Sequence, residues 1–226
     1  MTDHTRATKM AGRSLASRVL YRFFRNLCVI FCRTYLRMRV EGLQNVPTSG
    51  AFIVAPVHRS YLDTPIVAVV TKRRLRYMGK DPLWRNPASA WLLSSLGGFP
   101  VHRGTADREA LKRCIEVLEG GEPLVLFPEG ERKSGPLVHP LFDGAAYVAA
   151  KAGVGILPVG IGGSERVIPK GAKWIRPRRV HVTIGTMIPP EQSDSGRVQR
   201  AGVKLVSDQL HEELQRLFDD AQAKAG

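Results

Sequence analysis

Directly after the apolar run Ala51 to Val57 the chain reads His58-Arg59-Ser60-Tyr61-Leu62-Asp63, and a second apolar stretch begins at Thr64-Pro65. Imidazole is the side chain best suited to taking and returning a proton near neutral pH. With a carboxylate five positions later, the loop can fold back so that Asp63 accepts from one ring nitrogen and leaves the other free as a base. The same spacing suits a purely structural role, in which His58 closes the strand and Asp63 caps the next helix. A second cluster, Gly97-Gly98-Phe99-Pro100-Val101-His102-Arg103-Gly104, sets Arg103 just before a helix start, where guanidinium and free N–H groups both favour an anion. A third, Pro128-Glu129-Gly130-Glu131-Arg132-Lys133-Ser134-Gly135, offers a carboxylate at Glu129, a flexible Gly130 and a cation at Arg132. Taken singly, either of these reads equally well as a polar surface loop.

These clusters need elements to position them. Short β-rich runs alternate with helical stretches: strands are expected over Met38–Leu43, Ala51–Val57, Leu75–Met78, Leu124–Phe127, Gly155–Ile161 and Arg179–Gly185. Helices are expected over Thr64–Thr71, Pro82–Leu96, Ala106–Glu119, Phe142–Lys151 and Arg197–Ala223. Such alternation implies the α/β class, with a mixed, largely parallel sheet flanked by helices. In that architecture ligand groups gather where the backbone opens at the carboxyl ends of strands, and the His58 and Glu129 clusters both follow strands.

The chain has 226 residues, of which 43% are hydrophobic and 24% charged, enough apolar material for a substantial core. A disordered tail, a fibre and a disulfide-stapled miniprotein are excluded. Cys28, Cys32 and Cys114 follow no disulfide spacing, which fits a reducing compartment. Cys28 and Cys32 could share a metal, but no second ligand pair follows, and packing in the core is the expected role. The net charge of +14 is one-sided: residues 1–118 hold 20 basic and 7 acidic side chains, against 14 and 13 in residues 119–226. A field of this kind attracts a polyanion, whether nucleic acid, an anionic bilayer or a phosphorylated substrate.

Residues 1–13 read as a loose end. From Ser14 to Arg37, apolar residues mostly three or four apart (Leu15, Val19, Leu20, Phe23, Phe24, Leu27, Ile30, Phe31 and Leu36) interleave with Arg18, Arg22, Arg25, Arg33 and Arg37, the pattern of a basic amphipathic helix or a pair of them. The pattern suits a headgroup layer as well as an ordinary core face. The apolar run Leu27 to Cys32 is far short of the ~20 residues a spanning helix needs, and residues 1–26 contain no signal-like apolar segment. A cytoplasmic protein is therefore expected. The organisation expected is an N-terminal helical segment over 1–37 and one domain over 38–226.

Together the blocks resemble those of the glycerophospholipid acyltransferases, which include the 1-acylglycerol-3-phosphate acyltransferases. His58 and Asp63 match the H-x4-D block, and Gly97 to Arg103 is similar to the G-x-F-x-x-x-R-type block. Phe127-Pro128-Glu129-Gly130 with Arg132 matches the F-P-E-G-T-R block, and Ile156-Leu157-Pro158-Val159 resembles the last, hydrophobic-Pro block. All four stand in family order within roughly residues 40–190, and joint coincidence is far rarer than any single match. Two departures, Glu131 for the usual Thr and no Lys in Pro140-Leu141-Phe142-Asp143-Gly144, bear on the acceptor.

The resemblance implies acyl transfer from a thioester, acyl-CoA or acyl carrier protein, to a hydroxyl of a glycerol phosphate or lysophospholipid, first of all 1-acylglycerol-3-phosphate. It makes His58 the base and Asp63 its partner, gives the acceptor phosphate to Arg103 and Arg132, and lets Glu129 and Gly130 shape the acceptor site. No cofactor and no metal are implied. The basic first half would dock on anionic lipid, with Lys72, Arg73, Arg74 and Arg76 as a patch and Trp84, Trp91, Leu92 and Leu93 as interfacial anchors. With a membrane-bound acceptor implied, the 1–37 segment is expected to be membrane-associating, which places the protein peripherally on the cytoplasmic face of a membrane. Competing readings are a different lipid acceptor, such as a glycolipid or a phosphatidylinositol mannoside, and a non-catalytic membrane-surface protein. A nucleic-acid binder would need aromatics interleaved with the basic residues on an open face, whereas here they fall in apolar runs, so nucleic acid is not an expected partner.

Overall fold

The computed structural model describes residues 14–101, 108–169, 174–191 and 198–226. Among the described residues there are seven strands: β1 (Arg39–Glu41), β2 (Ile53–Pro56), β3 (Arg76–Lys80), β4 (Gly98–Val101), β5 (Leu124–Val125), β6 (Ile156–Gly162) and β7 (His181–Ile184). They form one sheet in the order β1-β7-β6-β2-β5-β3-β4. From β6 to β4 every neighbouring pair is parallel. At the other edge β7 runs antiparallel to β6, and β1 is parallel to β7. This is the mixed, largely parallel sheet that the alternation implied. β2 and β6 are buried at every position, as befits strands covered on both faces.

The helices are α1 (Leu15–Thr34), α2 (Asp63–Val69), α3 (Pro87–Ser95), α4 (Arg108–Glu119), α5 (Gly144–Ala152), α6 (Ser164–Val167) and α7 (Arg200–Ala225). Their ends follow local chemistry. Ser14 accepts from Ser17 N at the start of α1, and Asn86 accepts from Ala88 N and Ser89 N ahead of Pro87 at the start of α3. α7 buries Val203, Val206, Leu210, Leu214, Leu217, Phe218 and Ala221 in a stripe at helical spacing and lies along β6. Gly160 and Gly162 make that approach possible, because a Cβ at either would overlap the Leu217 or Ala221 carbonyl.

Several expectations change in detail. β4 occupies Gly98-Phe99-Pro100-Val101, which the sequence presented as a loop. Pro100 is tolerated there because β4 is an edge strand. The strand expected over Leu124–Phe127 is only Leu124–Val125, which releases Phe127 into the loop beyond. The helix expected from Pro82 divides at Pro87 into a 3-10 turn (Asp81–Trp84) and α3. The basic patch is only partly surface: Lys72 is exposed, but Arg76 is buried and ion-paired with Glu122, half-buried Arg73 donates to the Gly50 and Gly121 carbonyls, and burial lowers the half-buried Arg74 guanidinium to about 10. Trp84 packs over Gly79 and Gly98, whereas Trp91 is exposed.

α1 docks through Tyr21, whose hydroxyl donates to Arg73 O, and through Arg25, which donates to the Thr71 and Val69 carbonyls. Cys32 is fully buried, and burial pushes its thiol up to about 12. Its outward stripe is apolar: Leu15, Val19, Phe23, Leu27 and Ile30 are each 52–78% exposed. Among the described residues no helix is long and apolar enough to cross a membrane.

Candidate active site

β2 and β5 are parallel neighbours, with Ile53 beside Leu124 and Val54 beside Val125, so the loops leaving their carboxyl ends emerge side by side. The first carries His58 and Asp63. His58 Nδ1 lies 3.0 Å from Asp63 Oδ2, and the same oxygen accepts from Arg59 N at 2.6 Å and Ser60 N at 2.7 Å. Asp63 is completely buried as the first residue of α2, where the helix N-terminus favours negative charge. It makes no side-chain cap to its own helix. Its carboxylate instead closes the loop and grips the imidazole. An ionised carboxylate only accepts, so it keeps the proton on Nδ1 and leaves the Nε2 lone pair available. Nε2 has no hydrogen-bond partner among the described residues. The ring stacks on Phe127, with 4.0 Å between centroids and 25° between planes, and stays 17% exposed.

Glu129 ties the two loops together. Its Oε2 accepts from His58 N at 3.1 Å and from the Arg59 guanidinium at 2.7 Å, while Oε1 accepts from Arg59 at 3.0 Å and His139 N at 3.0 Å. Both side chains of the Arg59–Glu129 pair are essentially sealed from solvent. The sequence reading grouped Glu129 with the acceptor-binding residues. Both carboxylate oxygens are occupied by these donors, which fixes the backbone of His58, and the residue also lines the hollow that opens beside Gly130. Arg59 also donates to Leu137 O at 2.9 Å and lies over the Phe218 ring of α7 at 4.7 Å. From the same helix, Gln215 Oε1 accepts from Val138 N and Gln215 Nε2 donates to Pro136 O. The C-terminal helix thus braces the second loop from beneath.

Gly130 turns that loop at φ +73°, and a Cβ there would come within 2.6 Å of the Phe142 ring. A hollow of about 540 Å³ opens beside it, walled by Glu129, Gly130, Glu131, Lys133, His139, Pro140 and Phe142. Lys133 N donates to His58 O at 2.9 Å, drawing the Arg132 segment onto the His58 loop. Arg132 is exposed, with its guanidinium carbon 3.3 Å from the centroid of the Tyr61 ring. The structure therefore brings His58, Asp63, Glu129, Gly130 and Arg132 together at one end of the sheet. Arg103 lies outside the described residues, as do residues 1–13.

Three residues here escaped the sequence reading: Arg59, Tyr61 and Phe127. Arg59 had a signal of sorts, a charged residue beside the candidate base and a carboxylate of opposite sign in a distant block, but nothing in the sequence pairs positions so far apart.

The family described as Acyltransferase matches residues 37–162, a span that contains both loops. The chain belongs to the acyltransferase family. Among acyltransferase relatives, a chloroplastic 1-acyl-sn-glycerol-3-phosphate acyltransferase of Arabidopsis thaliana is 30% identical over 144 residues, covering 62% of this chain and 40% of the relative. A 1-acyl-sn-glycerol-3-phosphate acyltransferase of Bacillus subtilis is 25% identical over 176 residues, covering 77% of this chain and 84% of the relative. The chain spans between two-fifths and half of the length of several plant and algal relatives it matches. The crystal structure of the 1-acyl-sn-glycerophosphate acyltransferase PlsC from Thermotoga maritima superposes with a TM-score of 0.72 at 27% identity, covering 94% of this chain and 86% of that one.

Proposed function

We propose that this acyltransferase-family chain is an O-acyltransferase that moves a fatty acyl group from an acyl thioester, acyl-CoA or acyl carrier protein, to the free hydroxyl of 1-acylglycerol-3-phosphate. The observation that carries the reading is the His58–Asp63 pair, with Nε2 unengaged beside the Arg132 loop. In the reaction Nε2 takes the proton of the acceptor hydroxyl while its oxygen attacks the thioester carbonyl. Asp63 retains the Nδ1 proton and stabilises the imidazolium that forms. Collapse of the tetrahedral intermediate breaks the carbon–sulfur bond, and the imidazolium returns its proton to the departing thiolate. A thiolate is a good leaving group, so no enzyme nucleophile enters the scheme. Alignment of hydroxyl, base and thioester is then the main source of acceleration. Arg132 supplies the cation for the acceptor phosphate.

The test is release of free thiol from palmitoyl-CoA by the purified chain. Release is expected to depend on added lysophosphatidic acid. Equal release with a lysolipid that lacks a phosphate would favour the reading in which a different lipid is acylated, and release that ignores every acceptor would defeat both.

The same proposal places the chain on the cytoplasmic face of an anionic membrane, held by α1. Support comes from the exposed stripe Leu15, Val19, Phe23, Leu27 and Ile30, flanked by exposed Arg18 and Arg22. Co-sedimentation with phosphatidylglycerol-containing vesicles is expected to fall at least about tenfold in the double variant Phe23→Ser, Leu27→Ser, given the transfer energy of two large apolar side chains. Unchanged sedimentation would remove α1 as the anchor.

A further inference from the structure

We propose that Tyr61 is a positioning residue for acceptor recognition: its ring is the seat that holds the Arg132 guanidinium where the phosphate must bind. The inference rests on the reading above, in which Arg132 takes the phosphate. Three observations lead to it. Tyr61 is 68% exposed, unusual for a large aromatic in a loop otherwise pinned by buried hydrogen bonds, and its one described partner is Arg132. At 3.3 Å from the ring centroid the guanidinium must lie flat on the ring, which keeps its in-plane N–H donors pointing away from Tyr61. No described residue accepts a hydrogen bond from Arg132, whereas Arg59 is committed to Glu129 and Lys133 is paired with Glu131 at 2.7 Å.

An exposed arginine has many rotamers, and fixing one on binding costs entropy that a preorganised side chain has already lost. The stack performs that preorganisation. It also sets a distance: Tyr61 lies between His58 and Asp63, in a loop shaped by the Asp63 bonds to Arg59 N and Ser60 N. Proton acceptor and phosphate clamp are therefore referenced to the same six residues. The hydroxyl of Tyr61 makes no hydrogen bond to a described residue, so the ring face is the part that matters.

The experiment compares steady-state thiol release from palmitoyl-CoA, as a function of lysophosphatidic acid, for the full chain and its Tyr61→Ala, Tyr61→Phe, Arg132→Ala and doubly substituted Tyr61→Ala, Arg132→Ala forms. Tyr61→Ala is expected to raise KM for lysophosphatidic acid about tenfold with kcat held within about twofold, and Tyr61→Phe to match the unsubstituted chain. In the Arg132→Ala background, removing the ring should change nothing further. An unchanged KM in Tyr61→Ala, a Tyr61→Phe variant as impaired as Tyr61→Ala, or additive losses in the double variant would overturn the seat, the last by showing that Tyr61 meets the lipid on its own. If release by the unsubstituted chain ignores lysophosphatidic acid, the phosphate-acceptor reading fails first and takes the seat with it.

Discussion

His58→Ala is expected to cut acyl transfer by about 10²–10⁴-fold, the usual contribution of a positioned general base. The fold should survive. The substitution leaves in place His58 N on Glu129 and Lys133 N on His58 O, and Asp63 keeps the two amides of Arg59 and Ser60. What is lost is the ring, its stack on Phe127 and the one nitrogen with no partner among the described residues. Thiol release measured alongside circular dichroism separates the two effects. A variant that transfers acyl groups at the original rate would reduce His58 to a strand-closing residue and remove it as the base.

Glu129→Ala should be the most damaging single substitution for stability, at about 3–5 kcal/mol, because it strands the Arg59 guanidinium in a sealed site. Arg59 loses its counter-charge and keeps only the His58 and Leu137 carbonyls, while His58 N and His139 N lose their acceptor. Urea denaturation reads the effect as a fall in midpoint. The double substitution Arg59→Met, Glu129→Leu should recover much of that stability, since an apolar pair of similar volume escapes the desolvation cost of the ions. It should not recover activity, because nothing then holds the amide of His58. Full activity in the double variant would mean that the buried pair serves folding alone.

Much of this arrangement was legible in the residues themselves. Continuous apolar runs marked β2 and β6, and the three-and-four spacing marked α1, α4 and α7, because burial imposes those periods directly. His58 and Asp63 were legible because a five-residue separation closes within one loop. β4 was not, since Gly98 and Pro100 carry turn propensities that only an edge position overrides. Nor was the ion pair of Glu129, whose partner Arg59 stands 70 positions away. The patch at Lys72 to Arg76 was legible only in part for a related reason. Charge density along a chain carries no information on which guanidinium is paired beneath the surface, as Arg76 is with Glu122. Tyr61 looked like filler inside a six-residue block, since its use depends on a cation that arrives from another strand.

The dependence of Arg59 and of the 136–139 segment on Phe218 and Gln215 has a consequence for biogenesis. All four sequence blocks leave the ribosome well before α7 does, so a nascent chain that already displays every reactive group still lacks the buttress that aligns them. Alignment of the His58 loop with the second loop is then completed late, in the step that docks α7 onto β6.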